Sequence, residues 1–147
     1  MKQRTWALVI LVMTSAAYAD EGMMRVPMSP DYLKECGSCH VAFPAWGMDA
    51  SSWKQMMGQL DRHFGSDASL NEGVKLKIQN YLQSQSATSR SQRSIPEKDL
   101  RMTQTPWFKK EHRKVRAAEW TSPKVKTASN CAACHQGATS GRYEDEN

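Results

Sequence analysis

Hydrophobic and polar positions divide the chain into an apolar leader and two stretches of helical periodicity on either side of a polar gap. In the leader, Lys2 and Arg4 precede an apolar run from Trp6 to Met13, and small residues follow, ending in Ala17-Tyr18-Ala19. A basic start, an apolar run too short to span a bilayer and a small-residue cleavage site make residues 1–19 a secretory signal peptide. An uncleaved anchor is the competing reading, but no stop-transfer pattern or second apolar run follows. Cleavage after Ala19 leaves 128 residues, Asp20–Asn147, and a periplasmic location is expected.

Asp20 to Pro30 has no periodicity and reads as an irregular arm. Pro30-Asp31 opens a short helical segment through Tyr32 and Leu33, which the Pro and Gly of Phe43-Pro44-Ala45-Trp46-Gly47 punctuate. Ser51 or Ser52 then caps a helix whose apolar stripe runs Trp53, Met56, Met57, Leu60, Phe64. His63 falls on the same face, and Gly65 is the expected stop. Ser69-x-x-Glu72 reads as a capping box ahead of a helix with Val74, Ile78, Tyr81 and Leu82 on one face. Its Lys75 and Lys77 lie on a solvated side.

From Gln83 to Ser94 no apolar residue is larger than alanine, as in a flexible, solvated linker. Beyond it, Thr105-Pro106 is a cap followed by proline at the first helical position. Phe108, His112 and Val115 follow at helical spacing, so His112 also faces inward. Val125 to Asn130 leads toward the C-terminal part, where Gly137 and Gly141 punctuate the tail. The fold expected is mainly α, with two small helical modules, residues 20–82 and 95–147, joined by the polar linker 83–94.

The chemistry sits in Cys36-Gly37-Ser38-Cys39-His40 and its second copy, Cys131-Ala132-Ala133-Cys134-His135. C-x-x-C-H is the attachment signature of haem c. Two thiols at that spacing reach the two vinyl groups on one porphyrin edge, and the next histidine falls beneath the iron. A redox dithiol or one zinc site shared by the two pairs are the rivals. Neither explains why histidine follows both second cysteines, and the ~90-residue gap is far beyond ordinary zinc-ribbon spacing. Two covalently bound haem c groups are therefore expected, attached at Cys36, Cys39, Cys131 and Cys134. They should form much of the core of so short and polar a chain, whose mean hydropathy is −0.67. Without them the chain should be largely unfolded.

The haems also revise the charge. The formal net charge is +5, and loss of Lys2 and Arg4 lowers it to +3. Four propionates bring the reduced holoprotein close to neutrality, which argues against nucleic acid as a partner. From Lys109 to Lys126, seven basic residues stand against Glu111 and Glu119. This is either an ordinary solvated face or a docking rim beside the second haem.

The chain has four histidines, and two haem irons offer four axial positions. His63 follows His40 by 23 residues, and His112 precedes His135 by 23. Bis-histidine ligation follows, with His40 paired to His63 and His135 to His112; crossed pairing across the linker stays open at this level. Met48, Met56, Met57 and Met102 are the competing sixth ligands, and methionine would raise the potential. Saturated iron changes valence and does little else, so the function expected is electron carriage at low potential, without catalysis. The alternative is a haem protein with a displaceable distal histidine, binding or reducing a small ligand.

The chain resembles the small periplasmic dihaem cytochrome c family over most of its mature length. The likeness runs through Tyr32-x-x-Glu35-Cys36 and the first motif, Ala42-Phe43-Pro44, Ser52-Trp53, His63-Phe64-Gly65 and Asp67-Ala68-Ser69. It continues in Trp107-Phe108 with His112 and in Asn130 with the second motif. Trp46-Gly47-Met48-Asp49-Ala50 departs from the Leu-Pro-Ala type segment expected there. The resemblance implies two bis-histidine haems in two mainly helical modules, at low potential; a monomer is expected. It also implies a small oxygen-binding monohaem cytochrome c as electron acceptor and a membrane cytochrome b as donor.

Overall fold

The computed structural model describes residues 28–87 and 99–143. The expected signal peptide, most of the expected linker and the acidic end lie outside them. The described residues are helical with irregular connections and form no strand, only the isolated bridges Asp49–Ala87 and His63–Ser66. Among them, no helix is long and apolar enough to cross a membrane.

Helix α1 (Pro30–Cys36) begins at the expected place, with Ser29 accepting from the Tyr32 N–H and proline in the first turn. It ends earlier than the Pro-Gly punctuation suggested. The Gly37 N–H donates to the Leu33 carbonyl at 3.0 Å, and a Cβ at residue 37 would collide with that same oxygen. The corresponding Ala132 is tolerated because the second motif is a short 3-10 turn, Cys131–Ala133, with no helix before it.

Helix α2 (Ala50–Met57) corrects the sequence reading at both ends. Its cap is Asp49, whose carboxylate accepts from the Ser52 N–H at 2.9 Å. It stops at Gly58, and a 3-10 turn, Leu60–Arg62, follows. A 3-10 turn advances roughly 120° per residue against about 100° in an α-helix, so apolar spacing continues through the break. Leu60 stays buried, but Phe64 swings outward and is 47% exposed. His63 thus sits on a turn and not on a helix.

Helix α3 (Glu72–Ser84) takes Asn71 as its cap, accepting from Gly73 at 2.9 Å. The Ser69 capping box does not form; the Ser69 N–H donates to the Asp67 carboxylate instead. The expected face is the buried one, with Ile78 and Leu82 inaccessible and Val74 and Tyr81 packed alongside. The helix runs two residues into the expected linker, and the Ala87 N–H donates back to Met48 at 3.0 Å.

The core gathers Tyr32, Ala42, Ala45, Met48, Trp53, Met56, Met57, Leu60, Ile78 and Leu82. Leu100 and Met102 join it from beyond the linker, so the core crosses the expected boundary at residue 95. The Met102 side chain lies against Gly47, where a Cβ would stand 2.6 Å from its sulfur.

The later half is thinner. Helix α4 (Pro106–Glu111) starts as expected at Thr105, which is fully buried. Its hydroxyl donates to Met102 O at 2.9 Å and accepts from the Phe108 N–H at 3.0 Å. Thr105→Ala removes both and should cost about 1–2 kcal/mol, measured as a lowered denaturant midpoint of the holoprotein. Helix α5 (Ala117–Trp120) follows, and Asn130 bridges back to Val125 O at 3.0 Å just ahead of the second motif.

Candidate functional site

Helix α1 delivers Cys36 at its last turn and Cys39 and His40 just beyond. The loop after His40 is pinned by two buried aromatic donors: the Tyr32 hydroxyl to Phe43 O at 2.7 Å and the Trp53 indole to Ala45 O at 2.6 Å. His40 Nδ1 lies 2.8 Å from Val41 O, so that nitrogen donates and Nε2 is left to accept. Phe43 stacks on the His40 ring at 4.8 Å.

His63 is presented by a tight turn. Phe64 and Gly65 have φ of 51° and 96°, and the Ser66 N–H closes onto His63 O at 3.0 Å. Positive φ at two successive residues is the type I′ pattern, and Phe64 occupies it without glycine's freedom. The Arg101 guanidinium lies 4.6 Å over the Phe64 ring and covers the turn from the later half.

The His40 and His63 rings face each other at 6.2 Å between centroids and 14° between planes. An iron bound at about 2 Å by a nitrogen on each side, with roughly 1 Å from nitrogen to ring centre, needs centroids about 6 Å apart. His63 is held in the neutral form a ligand requires: burial, and then the charge of His40, pull its pKa below the ordinary value. Its Nδ1 is buried with no hydrogen-bond partner, a cost that ligation of the ring would offset.

The second pair has the same spacing. His112 caps α4, its Nδ1 2.9 Å from Phe108 O and its ring stacked on Phe108 at 4.0 Å. Trp120 packs against both rings, 5.6 Å from His112 and 5.9 Å from Phe108. His112 and His135 stand 6.0 Å apart at 86°. A cleft of about 250 Å³ opens beside them, bounded by Thr103, Gln104, Phe108, His112 and Trp120. The structure brings His40 to His63 and His112 to His135, each within its own half, at separations that suit a haem iron.

None of the four cysteines is paired in a disulfide. Burial pushes Cys36 up to about 11, with Glu35 adding to the effect, and burial raises Cys131 as well. A reactive dithiol needs the opposite shift. Among the described residues no three His, Cys, Asp or Glu side chains converge on a point, as a tetrahedral zinc site would require. Met48, Met56, Met57 and Met102 are all consumed by the core.

Phe43 lies beside His40, whereas Trp46 turns toward the later half. It meets Trp107 edge-on at 5.0 Å and Tyr143 at 6.3 Å. Sequence reasoning assigned no role to Arg101, Trp120 or Tyr143; Arg101 and Tyr143 reach Phe64 and Ala42 from far along the chain, and Trp120 meets His112 across a break between two short helices, so no periodic spacing signals these contacts.

A family model described as dihaem cytochrome c matches residues 32–143. A solved dihaem cytochrome c from Shewanella baltica is 31% identical, covers 81% of this chain and 89% of its own, and superposes with a TM-score of 0.68. A dihaem cytochrome c from Rhodobacter sphaeroides is 38% identical over 78% of this chain and 95% of its own, also at 0.68. Among curated proteins, none matches.

Proposed function

We propose that this chain, which belongs to the dihaem cytochrome c family and carries two covalently bound haem c groups, is a periplasmic electron carrier with bis-histidine ligation at both irons. When bound, each haem supplies a one-electron ferric–ferrous couple. Cys36 and Cys39 fix one group, Cys131 and Cys134 the other. His40 with His63, and His135 with His112, hold the irons from both faces and leave no position for substrate. Phe43 and Phe108 brace the imidazoles, and the Nδ1 bonds of His40 and His112 set their orientation. All-nitrogen ligation keeps both potentials on the low side for c-type cytochromes.

The observation that carries the reading is the pair of centroid separations, 6.2 and 6.0 Å. The plane angles make it testable. Parallel imidazoles act on the same iron d orbital and split the set, whereas crossed ones act on two and leave them nearly degenerate. Low-temperature electron paramagnetic resonance of the oxidised protein should therefore resolve two low-spin signals. One should be rhombic, from His40–His63, and the other strongly anisotropic with a raised largest g value, from His112–His135. A five-coordinate resting signal, or ready carbon monoxide binding by the reduced protein, would favour a displaceable distal histidine. A sulfur-to-iron band would favour methionine.

The partners proposed are a small redox protein, an oxygen-binding monohaem cytochrome c, as acceptor and a membrane cytochrome b as donor, with the carrier acting as a monomer. Lys109, Lys110, Arg113, Lys114, Arg116, Lys124 and Lys126 are all exposed on the His112 side. As a docking rim they would speed a small, transient encounter. Reversing Lys109, Lys110 and Lys114 to glutamate should slow reduction of an acidic acceptor by on the order of tenfold at low salt. An unchanged bimolecular rate would retire the rim.

A further inference from the structure

The loop after His40 gives up three carbonyls to three aromatic donors. Tyr32 takes Phe43 and Trp53 takes Ala45, both from the first-half core. The third donor comes from beyond the second motif: the Tyr143 hydroxyl donates to Ala42 O at 3.1 Å, across 101 positions of sequence. The same ring lies 6.0 Å from the ring of His135 and 6.3 Å from Trp46. One side chain therefore touches the backbone two residues from one iron-binding histidine and the ring of another at the other iron.

We propose that Tyr143 is a positioning residue that couples the two iron sites: its hydroxyl bond holds the His40 loop, its ring braces His135, and the contact between them is a route by which an electron passes from one centre to the other. The inference rests on the two-centre carrier reading above. In the step one iron is oxidised and the other reduced by one electron, and no bond forms or breaks. Tyr143 itself stays a neutral phenol. An ordinary buried tyrosine would need its hydroxyl satisfied by any acceptor. Here the acceptor chosen lies in one haem-binding segment and the ring contact in the other.

The test uses the holoprotein with Tyr143→Phe, which keeps the ring and loses the bond, and Tyr143→Leu, which loses both. Electron equilibration between the centres after rapid photoreduction should slow severalfold in Tyr143→Phe and further in Tyr143→Leu. In Tyr143→Leu the g values of the crossed-ligand signal should also shift. Wild-type equilibration in Tyr143→Phe, with both potentials unchanged, overturns the proposal whatever happens to its melting temperature. If Tyr143→Leu does not fold, Tyr143→Phe alone decides. A wild-type protein with only one low-spin centre would sink the carrier reading, a result separate from any effect of these variants.

Discussion

Replacing His63 with alanine is expected to open one iron site while the other stays closed. The reduced variant should bind one carbon monoxide per chain where the parent binds little, and the rhombic low-spin signal should give way to a high-spin one. The potential of the opened site should rise by on the order of 0.1 V, within the roughly 0.8 V that axial ligands span. The fold should survive. His63 lies outside the buried cluster, and the backbone bonds that shape its turn, Ser66 N–H to His63 O and Ala68 N–H to Leu60 O, do not use its side chain. Added imidazole should restore the low-spin signal, which separates loss of a ligand from general damage. His63 is also the softer distal position of the two. The Nδ1 of His112 is tied to Phe108 O, whereas that of His63 has no partner. A variant with parental spectra and no carbon monoxide adduct would remove His63 from the ligand set.

Much of this arrangement is legible from residue types alone, because the chemistry is local. The C-x-x-C-H spacing and the Thr105-Pro106 cap each depend on neighbours within a turn or two. What the sequence conceals is where one periodicity hands over to another. Trp53, Met56, Met57 and Leu60 are all buried as a single helix would have them, yet the helix stops at Gly58. A 3-10 turn continues the spacing closely enough to hide the join until Phe64 turns out. Ser69 misleads for a related reason. It has the right partner three residues on, but Asn71 captures the start of α3 and leaves Glu72 at the first helical position. The remaining gaps are long-range. Nothing near Leu100 or Met102 signals that they complete a core built by residues 32–82. Nothing near Tyr143 signals a bond to Ala42.

Serine at both Cys131 and Cys134 should abolish the second attachment and unfold the segment around it, while the first half stays ordered. The asymmetry follows from where burial lies. Residues 32–82 with Leu100 and Met102 contribute a continuous apolar cluster of buried side chains, so the first half depends less on its porphyrin than the chain as a whole. From Pro106 to Tyr143, Phe108, Val125 and Ala138 are the apolar residues buried. Side chains worth about 2 kcal/mol each fall far short of the chain entropy lost in ordering such a stretch. In the holoprotein the porphyrin would meet the deficit, and Phe108, His112 and Trp120 line a cleft that could receive part of it. The expected readout is half the parental haem absorbance per chain, with amide-exchange protection lost across α4 and α5 and kept in α1 to α3. The reciprocal change, Cys36→Ser with Cys39→Ser, should cost stability without erasing the first cluster, since Ile78, Leu82 and Met57 meet one another there and need no porphyrin to bury them. Protection retained through α4 in the Cys131, Cys134 variant would mean that the second half holds its shape by contacts with the first. Trp46 against Trp107 and Arg101 over Phe64 would then be its principal support.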